Sequence, residues 1–216
     1  MKKKKEIIVI VDMQNDFITG VLGSKEAEVA VQNAIKYLED IKHPENKYVI
    51  FTQDTHFTKN SIDIKYWYYK NTSEGRHLPV LHCEDQTEGW KIHKGLYEIV
   101  TTKFKGNYCV IPKNSFMTES GFNGLESELA RLFDWDEKLG FVIDKNEVGI
   151  TIFGLCTDIC VISNALLIER FIQVEDANSY ANIDLTCIAN CCAGSTPEKH
   201  EAALSVMESC HIKVIR

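Results

Sequence analysis

No apolar run in this 216-residue chain approaches the roughly 18 to 20 residues that a membrane-crossing helix needs. No span is therefore expected. The Lys-rich opening leads into an apolar stretch that Asp12 ends too soon to read as a secretory leader. Positive charge is in deficit, with 24 Lys and Arg against 31 Asp and Glu for a formal charge of −7. That balance argues against phosphate backbones, so no nucleic-acid partner is expected and a small neutral or cationic substrate fits better. Internal repeats and low-complexity segments are absent, and a composition 44% hydrophobic and 25% charged suits a single domain over 1–216. A C-x-x-C pair is missing too, which argues against a dithiol redox centre. Without a leader, the 8 cysteines are expected to be free thiols in a reducing cytoplasm. Cys187, Cys191, Cys192 and Cys210 sit among apolar or small residues and read as buried packing groups.

What is present is a rhythm of short apolar runs and longer amphipathic stretches. Glu6 to Val11, Tyr48 to Thr52, Tyr108 to Ile111, Val148 to Gly154, Leu185 to Ala189 and Ile212 to Ile215 read as strands buried on both faces. Glu26 to Ile41, Leu125 to Phe133, Ile159 to Phe171 and Pro197 to Ser209 carry apolar residues at spacings of three and four and read as helices. The alternation predicts an α/β three-layer sandwich, a six-stranded parallel sheet with helices on both faces. Ser195-Thr196-Pro197 signals one helix start, and Asp158 is placed to cap another. The stretch 57–106 breaks the rhythm. It is rich in Tyr, Trp and His and reads as a flap over the carboxyl ends of the strands, with Trp67, Tyr68 and Tyr69 either at a pocket mouth or packing the flap.

Ligands of open parallel sheets bind beyond those carboxyl ends. There the sequence places Asp12, then Asp54 and His56, then Lys113, then Cys160. A cysteine on an apolar helix face is ordinarily a packing residue. Cys160, however, falls in the expected first turn of a helix, where amide groups and the dipole favour a thiolate, with a carboxylate and an ammonium from neighbouring strand ends to activate it. Asp54 and His56 have the i, i+2 spacing that points two ligands the same way, and His82 is a third ligand that the flap can deliver. One carboxylate and two imidazoles suit a divalent ion, zinc first, with iron or manganese possible. The plain alternative is a turn-capping Asp54 with two ordinary loop histidines. His77, His93, His200 and His211 have no partner at informative spacing.

The motifs DMQNDF, DTH, HLPVLHC with TEGW, PKNSF, GLCTDICV and CCAGSTPEKHEAAL together resemble, in order and spacing, the isochorismatase-like cysteine hydrolases, and among them the nicotinamidase branch. The resemblance implies a Rossmann-like fold and a triad of Cys160, Asp12 and Lys113. It also implies a cis peptide between Leu155 and Cys156, with the backbone amides of Cys156 and Cys160 forming an oxyanion hole. Asp54, His56 and His82 would hold a metal that binds a pyridine nitrogen, Phe17 would be a pocket aromatic, and dimers or tetramers are common in the family. Two positions depart from the pattern. Pro79-Val80-Leu81 stands where the family often has an aromatic residue and prolines, so a stacking wall is either missing or supplied from elsewhere, and Gln86 replaces a common glycine. The implied activity is hydrolysis of nicotinamide to nicotinate and ammonia through a thioester. Another small amide, such as an N-carbamoyl compound or ureide, is the alternative substrate. The non-enzyme alternative is a metal- or small-ligand-binding protein with a redox-sensitive thiol.

Overall fold

In a computed structural model that describes residues 5–57, 72–118, 124–134, 148–176 and 183–216, the six apolar runs are six strands of one sheet. They are β1 (Lys5–Val11), β2 (Lys47–Asp54), β3 (Tyr108–Lys113), β4 (Val148–Gly154), β5 (Asp184–Ile188) and β6 (Lys213–Ile215). The order is β3-β2-β1-β4-β5-β6, and every pairing is parallel. β1 lies centrally, with Ile7 to Val11 wholly buried, as a strand covered on both faces requires. The order reverses between β1 and β4, and such a switch point opens a crevice at the carboxyl ends.

The described helices are α1 (Asn15–Ile18), α2 (Lys25–Asp40), α3 (Ser73–His77), α4 (Lys94–Lys103), α5 (Leu125–Asp134), α6 (Ile162–Asp176) and α7 (Pro197–Ser209). Ser24 caps α2 by accepting from Ala27 N at 3.0 Å, and Ala27, Ala30, Val31, Ala34 and Leu38 make its buried stripe. Thr196 caps α7 in the same way, with Pro197 in the first turn. α2 packs on α4, whereas α6 packs on α5 and α7. Right-handed crossovers place these two groups on opposite faces of the sheet.

Two expectations, for Asp158 and Cys210, are corrected. Asp158 does not cap its own helix; its carboxylate accepts from Ser195 N at 2.7 Å and from Ser195 Oγ at 2.6 Å, which ties down the chain entering α7. The second half of the 57–106 excursion lies against the strand ends. His56 pairs with Glu84 and Gln14 with Ile92 in isolated bridges, and Asp16 N donates to Gly89 O at 3.0 Å, so the segment is stitched to the ends of β1 and β2 before α4 leads into β3. Cys210 is half-buried rather than a core residue, while Cys187, Cys191 and Cys192 are buried as expected and all eight thiols are free. Trp67, Tyr68 and Tyr69 lie outside the described residues. None of the described helices is long and apolar enough to cross a membrane.

Two backbone positions bear on the site. Gly154 ends β4 at φ 145°, and a Cβ there would lie 2.0 Å from Val11 O, so only glycine lets β4 close on β1 next to Asp12. Gln86 has φ 63°, a left-handed conformation that glycine adopts most readily, at the position where the resemblance implies a glycine.

Candidate active site

Strand register builds most of the site. β2 and β3 each run two residues past their apolar cores, and Asp54 and Lys113 are cross-strand partners at their carboxyl ends. The Lys113 ammonium reaches Asp54 Oδ1 at 3.4 Å and Asp12 Oδ2 at 2.7 Å. Asp12 follows β1 in a left-handed conformation, φ 47°, and its second oxygen accepts from Thr52 Oγ1 at 2.7 Å. After β4 the Leu155–Cys156 peptide is cis, and a single π-helical turn, Thr157–Val161, carries Cys160 into α6. Cys160 Sγ stands 3.5 Å from Lys113 Nζ. The structure thus brings together the thiol, ammonium and carboxylate that the sequence placed at separate strand ends, all of them buried.

The electrostatics correct one expectation. Burial is the largest influence on Cys160 and holds its thiol well above the usual value; Lys113 pulls the other way, while Asp12 and Asp54 add to burial. Resting Cys160 is therefore a thiol rather than a standing thiolate, and as a nucleophile it would need a base at the moment of attack. Asp12 suits that task, because burial pushes its carboxyl up against the pull of Lys113 and so raises its affinity for a proton. Burial disfavours charge on Lys113 as well, but the two carboxylates outweigh it and keep the ammonium protonated.

Asp54 faces two ways. Oδ1 meets Lys113, while Oδ2 lies 2.9 Å from His56 Nε2 and 3.4 Å from His82 Nε2. Among the described residues, the group whose ligand atoms converge is Asp54, His56, Glu74 and His82, all within 4.8 Å of one another. Two imidazoles with two carboxylates form a donor set that fits a divalent ion. His82 Nδ1 and Val80 O are 2.9 Å apart, a contact that leaves Nε2 turned toward the cluster. Glu74 was not foreseen from sequence. It comes from the five-residue α3, where the one available signal was Thr72 preceding Ser73-Glu74-Gly75, a helix-start pattern; Thr72 Oγ1 does accept from Gly75 N at 3.0 Å. Gln14 was also missed. Its side-chain amide donates to Asp54 O at 2.8 Å and accepts from Asp54 N at 2.7 Å, replacing strand pairing where β1 has ended.

Burial works against a proton on His82, but hydrogen bonds to Asp54 and Glu74 outweigh it and push the imidazole up to about 10. An incoming ion must displace that proton. Affinity for zinc, followed by chelator competition, is therefore expected to climb with pH through the neutral range instead of levelling off just above the ordinary imidazole value. An affinity that is flat from about pH 7 to 9 would contradict this arrangement.

A cavity of about 480 Å³ opens over these groups, lined by Phe17, Glu74, His82, Cys156 and Cys160 among others. Phe17 packs edge-on to His82, ring centroids 5.3 Å apart. Thus Cys160 and two members of the carboxylate–imidazole cluster, Glu74 and His82, face a single chamber. His77, which sequence left without a role, also lines the cavity, and His200 Nδ1 contacts Thr157 Oγ1 in the nucleophile turn at 2.8 Å.

A parallel sheet that reverses beside its first strand, and sets a buried thiol, ammonium and carboxylate at the reversal, is the architecture of an isochorismatase-like α/β protein. The match of the Isochorismatase domain model to residues 6–216 shows that the chain belongs to that family. Solved structures agree on the fold. Nicotinamidase from Bacillus subtilis has 23% identity and a TM-score of 0.68, covering 98% of this chain and 99% of that one. Pyrazinamidase/nicotinamidase from Streptococcus mutans has 18% identity and a TM-score of 0.70, covering 98% and 100%. Pyrazinamidase of Pyrococcus horikoshii, solved in complex with zinc, has 22% identity and a TM-score of 0.58, covering 98% and 99%. No curated protein sequence matches the chain.

Proposed function

We propose that this chain is a cysteine-dependent amidohydrolase that converts nicotinamide and water to nicotinate and ammonia. The observation that carries this reading is the position of Cys160, 3.5 Å from Lys113, in a cavity that Glu74 and His82 of the Asp54, His56, Glu74 and His82 cluster also line. The arrangement serves a reaction that must orient a polar ring at one end and attack a carboxamide at the other.

As Cys160 Sγ bonds to the carboxamide carbon, Asp12 takes the thiol proton and Lys113 balances the charge on its carboxylate. The developing oxyanion is held by the backbone amides of Cys156 and Cys160. The proton on Asp12 passes to the departing nitrogen, the C–N bond breaks and ammonia leaves a thioester. Asp12 then deprotonates a water that attacks the thioester carbon. The C–S bond breaks, nicotinate is released and Cys160 regains its proton. A divalent ion on Asp54, His56, Glu74 and His82 would supply a Lewis-acid anchor for the ring nitrogen. Phe17 packs beside the ring so held.

Ammonia release from nicotinamide and benzamide, measured on the same zinc-loaded protein, tests this reading. Nicotinamide is expected to be the better substrate by about a hundredfold or more in kcat/KM, since benzamide has no ring nitrogen to anchor. Metal analysis should find about one equivalent per chain. Equal turnover of the two amides, or full activity in metal-free protein, would move the substrate to the alternative class of N-carbamoyl compounds and ureides. The exposed Val80 and Leu81, standing where relatives often place an aromatic wall, keep that alternative in view.

A further inference from the structure

The π-helical turn Thr157–Val161 starts at Cys156, which makes no capping side-chain hydrogen bond, so the turn is held from outside. Leu155 bridges to Ala193, Thr157 N donates to Ala193 O at 2.9 Å, and the Asp158 carboxylate accepts from Ser195. On the buried side the tie is a hydroxyl. Thr157 is wholly buried, and its Oγ1 hydrogen-bonds with His200 Nδ1 at 2.8 Å, the partner that this hydroxyl finds among the described residues.

His200 stands near the start of α7, where the backbone fixes its place: a Cβ on Gly194 would lie 2.9 Å from His200 Cα and N, so α7 and the chain after Ala193 touch directly. The ring lines a second cavity of about 570 Å³, which shares Ala193 and Gly194 with the active-site cavity, and Nε2 lies 3.9 Å from the exposed Glu201. The imidazole thus stands behind the active-site wall with Nδ1 turned toward the nucleophile turn. A buried hydroxyl stripped of its partner is costly, and the turn relieves that cost by shifting. Thr157 lies between Cys156 and Cys160, so such a shift moves the thiol and both of the backbone amides read as the oxyanion hole.

We propose that His200 is a positioning residue for the nucleophile turn: through Nδ1 it holds the Thr157 hydroxyl, and so keeps Cys160 Sγ and the amides of Cys156 and Cys160 aimed at one carbonyl. The proposal rests on the amidohydrolase reading above. His200 does not line the active-site cavity, whereas Phe17, Glu74 and His82 line it from α1, α3 and the segment before α4. Its contribution therefore falls on the chemical steps and not on substrate binding.

The test compares wild type with His200→Ala, His200→Asn, His200→Gln and Thr157→Val as zinc-loaded full chains turning over nicotinamide. His200→Ala should lower kcat about thirtyfold and leave KM within about twofold. Asn carries an oxygen and an amide nitrogen near the place of Nδ1 and should restore kcat to within about threefold, whereas Gln puts them nearer Nε2 and should not. Thr157→Val should match His200→Ala, and combining the two should cost no more than either alone. A kcat loss under about threefold in His200→Ala, rescue by Gln as good as by Asn, or losses that multiply in the double variant would each overturn the proposal. Should His200→Ala not fold, the Asn and Gln pair decides it alone. If the wild type hydrolyses no amide, the amidohydrolase reading fails, and the rate of Cys160 alkylation by iodoacetamide decides the positioning separately. A change of about fivefold or more in His200→Ala, reversed in His200→Asn, then upholds it, and equal rates overturn it.

Discussion

Replacing Cys160 by Ala is expected to cut amide turnover by about ten-thousand-fold or more while leaving the fold in place. The catalytic loss is large because the proposed route passes through a sulfur–carbon bond, and no other thiol stands against the Lys113 ammonium within the chamber. Cys156, the other cysteine lining it, has its thiol pushed up to about 12, chiefly by burial, and belongs to the wall after the cis peptide. The structural cost is small. Alanine keeps the backbone of the π-helical turn, and Asn164 still finds Cys160 O; losing one buried sulfur costs about 1 kcal/mol. Ammonia release together with thermal denaturation checks both halves. Activity within about tenfold of wild type would remove Cys160 from the chemistry.

Lys113→Met is expected to lose turnover by about a thousandfold or more and also to destabilise the protein by about 3 to 5 kcal/mol. The ammonium is wholly buried between Asp12 and Asp54, and methionine fills much of its volume without its charge. Two buried carboxylates would then face each other unneutralised, and both would gain affinity for protons. The sign of the pH dependence follows: a carboxyl whose folded pKa lies above its unfolded value binds more protons in the native state, so it contributes most at low pH and loses that contribution as pH rises. The stability gap to wild type should therefore narrow on acidification and widen toward neutral pH. Melting curves at several pH values read this directly; a gap that grows as pH falls would contradict the assignment of Lys113 as the shared counter-ion. Combining Lys113→Met with Asp12→Asn should cost less activity than the two losses multiplied, because both changes disable one proton-transfer unit.

The sheet and the convergence of Asp12, Lys113 and Cys160 were legible in the sequence for a common reason. Strands buried on both faces appear as continuous apolar runs, and the first polar residues beyond them mark the carboxyl edge where Asp12, Asp54, Lys113 and Cys160 collect. Asp54 and His56 declared themselves by spacing. Glu74 did not, because its arrival at the cluster depends on the path of an irregular segment, and a five-residue helix has too few turns to show periodicity. Gln14 and Asn164 are buried polar side chains with partners up to 76 and 48 residues away, and no local pattern encodes such pairings. The acidity of Cys160 misled for a different reason: sequence shows the helix start and a lysine, which favour a thiolate, but not the burial that opposes it more strongly.

The central claim is a covalent bond between Cys160 and the acyl half of an amide. Mass spectrometry of protein quenched in acid during steady-state turnover of nicotinamide tests it most directly. The account predicts a nicotinoyl adduct on the peptide containing Cys160, released by hydroxylamine as a thioester should be, and absent from Cys160→Ala. An adduct on another residue, or sustained turnover by Cys160→Ala with no adduct anywhere, would contradict it.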